Sequence, residues 1–191
     1  MKHKSTGGAL LRSVALPGWG HAYVRSDWQK SRSFLAADVA FLAATLGYRQ
    51  SSQNALQSMY TNTRQKAGVE IKGRSKSFQL AVAQFNSLSE YNTYQEQTRN
   101  WDRFLENTPE NQWNWSSEQD RFRYNELRSR QESHSRQAGI FIGLMVVNRV
   151  VSGVSSMVTA RNHNRNLPIV YMLPTGDPTQ MGVSAHMRVE F

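Results

Sequence analysis

The sequence contains no cysteine, and it has only 14 acidic residues against 23 lysines and arginines. The first absence excludes disulfides, thiolate metal ligands and cysteine nucleophiles. The shortage of acidic residues leaves a net charge of +9, which suits nucleic acid, an anionic membrane surface or an acidic partner. Long apolar runs are scarce as well. Nearly all of them fall in two windows of a 191-residue chain that is long enough for one domain.

The sequence also lacks the patterns that carry most enzyme chemistry. It shows no G-x-S-x-G motif, Walker loop or dinucleotide fingerprint, and its carboxylates alternate with Arg and Lys as on a solvated helix face. We therefore predict a protein that is not an enzyme, with no catalytic residue, no bound metal and no cofactor. The histidines, which show no metal-ligand spacing, are His3, His21, His134, His163 and His186.

Two windows predict transmembrane helices. Residues Trp28–Tyr48 reach the length of about 20 residues that a span needs, with an aromatic ring at each end for the interface. Residues Ala138–Ala160 hold one charge and are apolar around the whole helix, which disfavours the alternative of a core helix in a soluble bundle. Within this window Gly139 and Gly143 have the spacing of a close helix–helix contact in a bilayer.

The segment between the windows predicts a long helical hairpin. Apolar residues recur every three or four positions along Lys76–Asn107, and Ser116 with Gln119 predicts the start of a helix that runs on through Arg161. The tail predicts two strands, Ile169–Leu173 and Met181–Phe191, around a turn at 174–178. Although an alternating strand that ends in Phe is typical of outer-membrane barrels, one hairpin cannot close a barrel.

These patterns predict an all-α membrane protein: two transmembrane helices extended by a long helical hairpin, with a short C-terminal β-hairpin. The predicted segments are 1–27 with a PGWG turn, 28–48 as the first transmembrane helix, 49–137 as the polar hairpin, 138–160 as the second transmembrane helix, and 161–191 as the tail.

The most distinctive local motif precedes the first window. Pro17 fixes its own φ, Gly18 and Gly20 permit unusual backbone angles or close approaches, and Trp19 and Tyr23 suit the headgroup layer. The motif predicts a tight interfacial turn that feeds the first span, and an ordinary loop before a helix is the alternative.

The stretch KSTGGALLRSVALPGWGHAY resembles the opening of bacterial domain-of-unknown-function family 5683, whose members carry a PGWGQ-x-Y-like motif followed by a hydrophobic helix. A second patch, Arg123–Arg128 followed by the window with Val147 and Asn148, is similar to the run that leads into the family's last helix. This chain has His21 where Gln is usual, and Val151 and Ser152 where many members have an Asp. Since the family has no assigned activity, the resemblance implies membrane placement alone.

Two ionisable residues, Asp38 and Arg149, lie inside the apolar windows. A charge in hydrocarbon costs about 2.5–3.5 kcal/mol and is usually paired or functional. In an antiparallel hairpin the two residues lie at the same depth, so we predict an intramembrane pair to which Asn148 adds a hydrogen bond. The pair either fixes the helix register or takes part in ion or proton movement.

Three classes of function compete. The favoured one is a structural or interaction component of the bacterial cell envelope, with the lipid bilayer and a protein partner or homo-oligomer as its contacts. The second is a small transporter or channel subunit that uses Asp38 and Arg149. The third, a nucleic-acid binder, is disfavoured by the acidic residues mixed among the basic ones. Residues that could touch a partner, or instead pack locally, are Trp101, Trp113 and Trp115.

The sequence gives only weak signals for the host membrane and for the orientation of the chain in it. Helical spans favour the inner membrane over the outer one, and the basic N-terminus favours both termini inside with the polar segment outside. Arg136 and Arg161 flank the second window on both sides, so this window does not indicate which of its ends faces the cytoplasm.

Overall fold

The computed structural model describes residues 2–24, 28–167, 169–175 and 182–188. Six α-helices, one short 3-10 helix and two strands are present in the described residues. In chain order they are α1 (Thr6–Ala15), α2 (Trp19–Val24), α3 (Trp28–Lys66), α4 (Lys76–Gln84), α5 (Leu88–Gln97), the 3-10 helix (Trp101–Arg103), α6 (Glu118–Arg165), β1 (Ile169–Thr175) and β2 (Gly182–Arg188).

The chain forms two compact units. Unit 1 combines Met1–Ala43 with Phe141–Phe191, and unit 2 is Ala44–Ile140. The long helices α3 and α6 therefore contribute residues to both units.

In unit 1, α1 begins and ends at residues suited to those positions. The Ser5 hydroxyl accepts a hydrogen bond from the Gly8 N–H at 3.1 Å and caps α1. Leu16 is extended because Pro17 follows it, and α1 ends there.

Also in unit 1, α3 and α6 contact each other through the rings of Phe41 and Phe141, whose centroids are 6.2 Å apart.

Unit 2 has an apolar core between the end of α3, helices α4 and α5, and the start of α6. Gly68, at φ +74°, ends α3, because its left-handed backbone lets the Val69 N–H reach back to the Thr63 carbonyl. The buried core side chains are Met59, Ala67, Val69, Ile71, Phe78, Ala81, Val82, Ala83, Leu88, Trp113, Trp115, Tyr124 and Leu127.

An extended segment at 113–116 crosses this core. The Asn114 N–H donates to the Ala67 carbonyl at 3.0 Å. The indole N–H of Trp113 donates to the Phe85 carbonyl at 3.1 Å, and that of Trp115 to the Val82 carbonyl at 2.8 Å. Local packing is therefore the correct alternative for these two tryptophans, whereas Trp101 is 64% exposed.

The predicted fold class is wrong in its membrane part. By length and composition, α6 is the one helix among the described residues that could cross a membrane. Helix α3 is long, but its apolar stretch carries Asp38 and lies between Arg32 and Arg49. Two predicted transmembrane helices are thus corrected to one membrane-capable helix.

The predicted helical hairpin over 49–137 is also wrong. Lys76–Asn107 does not form one helix: α4 ends at Gln84, and Ser87 caps α5 by accepting from the Glu90 N–H at 3.2 Å. Ser117 rather than Ser116 caps α6, because its hydroxyl accepts from the Asp120 N–H.

The two strands after α6 begin or end at other residues than predicted. Strands β1 and β2 pair antiparallel, from Ile169 opposite Arg188 to Thr175 opposite Gly182. The predicted second strand began at Met181 and ran to Phe191. Most of the predicted turn, at 176–178, and both ends of that strand, at 181 and 189–191, lie outside the described residues.

Candidate functional site: a buried polar cluster among apolar helices

The PGWG motif forms a turn that is closed by side chains from two other helices. The Gly18 N–H donates to the Ser152 hydroxyl of α6, and the Ser31 hydroxyl of α3 donates to the Gly18 carbonyl, both at 2.8 Å. Gly18 has φ +88°, and a Cβ there would lie 2.1 Å from the Ser31 carbonyl oxygen. Only glycine fits this position.

Gly20 permits a second close approach. The Gly20 N–H donates to the Ser13 hydroxyl at 2.9 Å, and a Cβ on Gly20 would lie 2.2 Å from the Ala9 carbonyl oxygen. That carbonyl also accepts from the Ser156 hydroxyl at 3.0 Å. The motif thus holds α1 and α2 against α6 through small residues and hydroxyl groups.

The aromatic residues of the motif have different surroundings. Trp19 is 51% exposed. The Tyr23 ring contacts two cations, the Lys4 ammonium at 4.6 Å and the Arg12 guanidinium at 4.2 Å from its centroid. The Asn164 side chain bonds both the N–H and the carbonyl of Lys4, at 2.8 and 2.7 Å. Basic N-terminal residues therefore gather at the C-terminal end of α6.

The structure brings Asp38 and Arg149 together. One guanidinium N–H donates to Asp38 Oδ2 at 3.1 Å and another to Oδ1 at 3.4 Å, so the pair has two contact points. Asp38 is 7% exposed. Asn148 does not join this pair, because its amide donates to the Phe34 carbonyl at 3.0 Å.

We use the name polar cluster for the buried polar side chains of unit 1 together with Arg149. Sequence reasoning singled out the ion pair but missed the hydroxyl groups, which no motif marks. The buried His21 ring also belongs here and stacks on Phe34 at 5.6 Å and 5°. The cluster consists of Ser13, His21, Ser31, Asp38, Arg149, Ser152 and Ser156.

The large apolar side chains of unit 1, in contrast to the polar cluster, are exposed on the surface. On α3 they recur on one face, and on α6 they cover most of the helix. They are Leu35, Val39, Leu42, Ile142, Leu144, Val146, Val147, Val150, Val151, Val154 and Val158, each at least 39% exposed.

Gly139 and Gly143 are not at a helix contact. An added Cβ at either position meets no atom of the described chain within 4 Å. The close approach on α6 lies instead at Gly153, where a Cβ would be 3.0 Å from Val14 Cγ2. The prediction of packing at Gly139 and Gly143 is wrong within this chain.

Among the described residues, no three His, Asp or Glu side chains gather so that they could hold a metal ion. In unit 2, burial raises the pKa of Tyr124 to about 12, and hydrogen bonding from Arg64 lowers the pKa of Glu70. Arg64 donates to Glu70, and the Tyr124 hydroxyl donates to the Gln79 carbonyl.

No family model matches the chain, and no curated protein or solved structure matches it either. The resemblance to domain-of-unknown-function family 5683 therefore stays a prediction. The geometry of unit 1 is what bears on function.

Proposed function

We propose that the chain is an integral membrane protein that places the exposed apolar side chains of unit 1 in lipid and serves as a structural or interaction component of the bacterial cell envelope. One observation carries the proposal: unit 1 buries hydroxyl groups and the Asp38 carboxylate, and it exposes its large apolar side chains. Water would penalise that arrangement and lipid would favour it, since full burial of one Val or Leu side chain is worth about 1.5–3 kcal/mol.

The apolar stretch of α6 supports a lipid environment over a soluble core. Only 17% of it is buried inside the protein, whereas a soluble core helix would be mostly buried. Contiguous apolar surface of this kind is rare on soluble monomers and marks interaction sites.

Interfacial side chains support the same placement. Trp19 and Trp28 are 51% and 69% exposed, as amphipathic rings at headgroup level would be. Lys4 and Arg12 lie near the C-terminal end of α6, where Arg161 is exposed. Under the positive-inside rule this basic end faces the cytoplasm, and the inner membrane is the host.

The contacts of the polar cluster favour a structural role over transport. Asp38 and Arg149 satisfy each other through two hydrogen bonds, so their charges fix how α3 and α6 pack in unit 1. A transporter or channel subunit is the second candidate, because an ion pair in hydrocarbon is uncommon outside such proteins.

Carbonate extraction of membranes from expressing cells tests the placement. We expect the full chain to stay in the membrane pellet and to float with lipid. Because the chain has no cysteine, single cysteines at the exposed positions Lys2 and Glu110 can report sidedness with an impermeant maleimide. We expect labelling of Glu110→Cys alone in intact spheroplasts. Recovery of the chain in the carbonate supernatant would contradict the proposal.

A further inference from the structure

Two cations of unit 1 lie against one aromatic ring. The Lys4 ammonium is 4.6 Å and the Arg12 guanidinium 4.2 Å from the centroid of the Tyr23 ring. The ring attracts each cation through its quadrupole, whereas the two like charges repel each other. We use the name cation pair for Lys4 and Arg12. An anion between or beside them would offset their repulsion.

Hydrogen bonds hold the cation pair in place. The Asn164 amide of α6 donates to the Lys4 carbonyl at 2.7 Å and accepts from the Lys4 N–H at 2.8 Å. An Arg12 guanidinium N–H donates to a backbone carbonyl one turn earlier in α1, at 2.9 Å. The Tyr23 hydroxyl accepts from the Ser5 N–H at 3.4 Å. The Lys4 backbone, the Arg12 guanidinium and the ring are thus positioned before any ligand arrives.

The described residues of unit 1 offer the cation pair no carboxylate. Asp38 is the one acidic residue among them, and it already accepts two hydrogen bonds from Arg149.

Further positive charge lies at the same end of unit 1. Arg161 and Arg165 precede and follow Asn164 on α6, and both are exposed. The C-terminus of a helix carries only about half a negative charge. Since that offsets a small part of four cations, this end of unit 1 presents a positive patch that favours an anionic ligand.

The position of the patch favours a phospholipid as the source of the anion. Helix α6 is long and apolar enough to cross a membrane, and the patch lies around its C-terminal end. Under the proposed function this end reaches the headgroup layer, where lipid phosphates lie. Ammonium and guanidinium groups both bind phosphate, and basic groups next to a spanning helix are typical sites for anionic headgroups.

We propose that Lys4 and Arg12 bind the phosphate of an anionic phospholipid, and that the Tyr23 ring holds the two cations together for this purpose. The inference rests on the proposed function, because the lipid reaches the patch only when α6 lies in the bilayer. It is narrower than a general attraction of basic residues to a membrane, since it assigns the preference to two residues on one ring.

Native mass spectrometry of the full chain in a polyoxyethylene detergent tests the proposal. The probe is an equimolar mixture of dioleoyl phosphatidylglycerol and dioleoyl phosphatidylcholine, which have the same acyl chains and differ in net charge. The measured quantity is the ratio of bound phosphatidylglycerol to bound phosphatidylcholine. We expect a ratio of at least about ten, because two cations act on the anionic headgroup.

Removal of single charges locates the site. Lys4→Gln and Arg12→Gln should each lower the ratio about fivefold. Lys2→Gln is the matched control, because Lys2 is exposed and has no contact with the Tyr23 ring in the described structure. It should lower the ratio less than about twofold. An equal loss in Lys2→Gln and Lys4→Gln would show diffuse attraction by net charge and would overturn the proposal.

Two changes of Tyr23 test the role of the ring. Tyr23→Phe keeps the ring and should keep the ratio of the parent protein. Tyr23→Leu keeps both cations but removes the surface that holds them together, and we expect it to lower the ratio about threefold. A Tyr23→Leu protein with the parent ratio would show that the ring does not organise the site, which also overturns the proposal.

Melting temperature in the same detergent separates a binding role from a structural one. If Lys4→Gln and Arg12→Gln melt at lower temperature but keep the parent ratio, the cation pair serves folding and the proposal fails. Arg12→Lys, which keeps the charge, should restore most of the ratio lost in Arg12→Gln.

The carbonate extraction distinguishes failure of this inference from failure of the proposed function. A chain that stays in the membrane pellet but binds both lipids equally contradicts the headgroup site alone, whereas recovery in the supernatant contradicts both. A single-stranded oligonucleotide that displaces phosphatidylglycerol, and depends on Lys4 and Arg12 to do so, would make the patch a nucleic-acid site and would likewise overturn the inference.

Discussion

Unit 1 and unit 2 bury opposite kinds of side chain. Unit 2 packs Phe78, Trp113 and Trp115 inside and leaves charged groups such as Arg130 on its surface. Unit 1 packs hydroxyl groups and the Asp38 carboxylate inside, with Arg149 half-buried beside it, and leaves valines and leucines outside. The same helices, α3 and α6, supply residues to both arrangements. Under the proposed placement, lipid surrounds the apolar side chains of unit 1 and water surrounds unit 2, and four changes can break or sharpen this comparison.

The largest expected effect is that of Gly18→Ala. At φ +88° an alanine costs about 1–2 kcal/mol, and its Cβ would clash with the Ser31 carbonyl at 2.1 Å. We expect unit 1 to lose about 3 kcal/mol or more. The measurement is thermal resistance of the detergent-solubilised chain to proteolysis.

Gly7→Ala is the matched control for Gly18→Ala. Gly7 lies in α1, and a Cβ there meets no atom of the described chain within 4 Å. Helix propensity predicts a gain of about 0.5–1 kcal/mol for this change. Equal behaviour of the two variants would mean that the PGWG turn does not organise unit 1.

The next effect concerns the ion pair. Asp38→Leu leaves Arg149 without its partner, and since the Arg149 side chain is 38% exposed, the cost is that of one unpaired charge facing lipid, about 2.5–3.5 kcal/mol. Asp38→Leu combined with Arg149→Leu should recover most of that loss, because neither charge remains. Protease resistance in detergent measures both variants. A double variant as unstable as Asp38→Leu would show that the pair does not set the packing of α3 and α6 in unit 1.

Some of this site could be predicted from sequence, and some could not. Asp38 and Arg149 are charges in apolar surroundings at equal depth, so their juxtaposition follows from the cost of burying each alone. Ser152 and Ser156 carry no such signal, since an isolated serine is ordinary in any helix. Their spacing of four places both on one helix face, and only the approach of the PGWG turn shows that this face is buried.

The middle of the chain was mispredicted because a stripe of apolar residues was interpreted as one helix. The break between α4 and α5 was nevertheless encoded. Ser87 and Glu90 have the spacing of a capping box: Ser87 accepts from the Glu90 N–H, and the Glu90 carboxylate accepts from the Asn86 N–H. The burial of Trp113 and Trp115 is different, because it depends on tertiary contacts that no local pattern reports.

A charge placed on each unit tests the two-solvent comparison directly. Val147 in unit 1 and Phe122 in unit 2 are almost equally exposed, at 57% and 55%. If lipid surrounds unit 1, Val147→Lys costs about 2.5–3.5 kcal/mol, whereas Phe122→Lys on a water-exposed surface stays within about 0.5 kcal/mol. Membrane insertion yield and thermal stability measure the difference. Equal tolerance of both lysines would place the two surfaces in the same solvent.

The smallest expected effect tests whether the apolar core of unit 2 excludes water. Burial raises the pKa of Tyr124 from 10.0 to about 12, and its hydroxyl donates to the Gln79 carbonyl at 3.2 Å. Between these pH values the folded chain keeps a proton that the unfolded chain has lost, so stability falls as the pH rises, by about 2–3 kcal/mol in total.

Tyr124→Phe removes this titration. At neutral pH the variant should be about 1 kcal/mol less stable, since one hydrogen bond is missing. Because only the parent protein loses stability through this titration, the gap should close by about pH 11 and reverse above it. Urea unfolding followed by tryptophan fluorescence, to which Trp115 contributes at 5.6 Å from Tyr124, measures both proteins. A gap that stays constant between pH 10 and pH 12 would mean that the Tyr124 hydroxyl is open to water in solution.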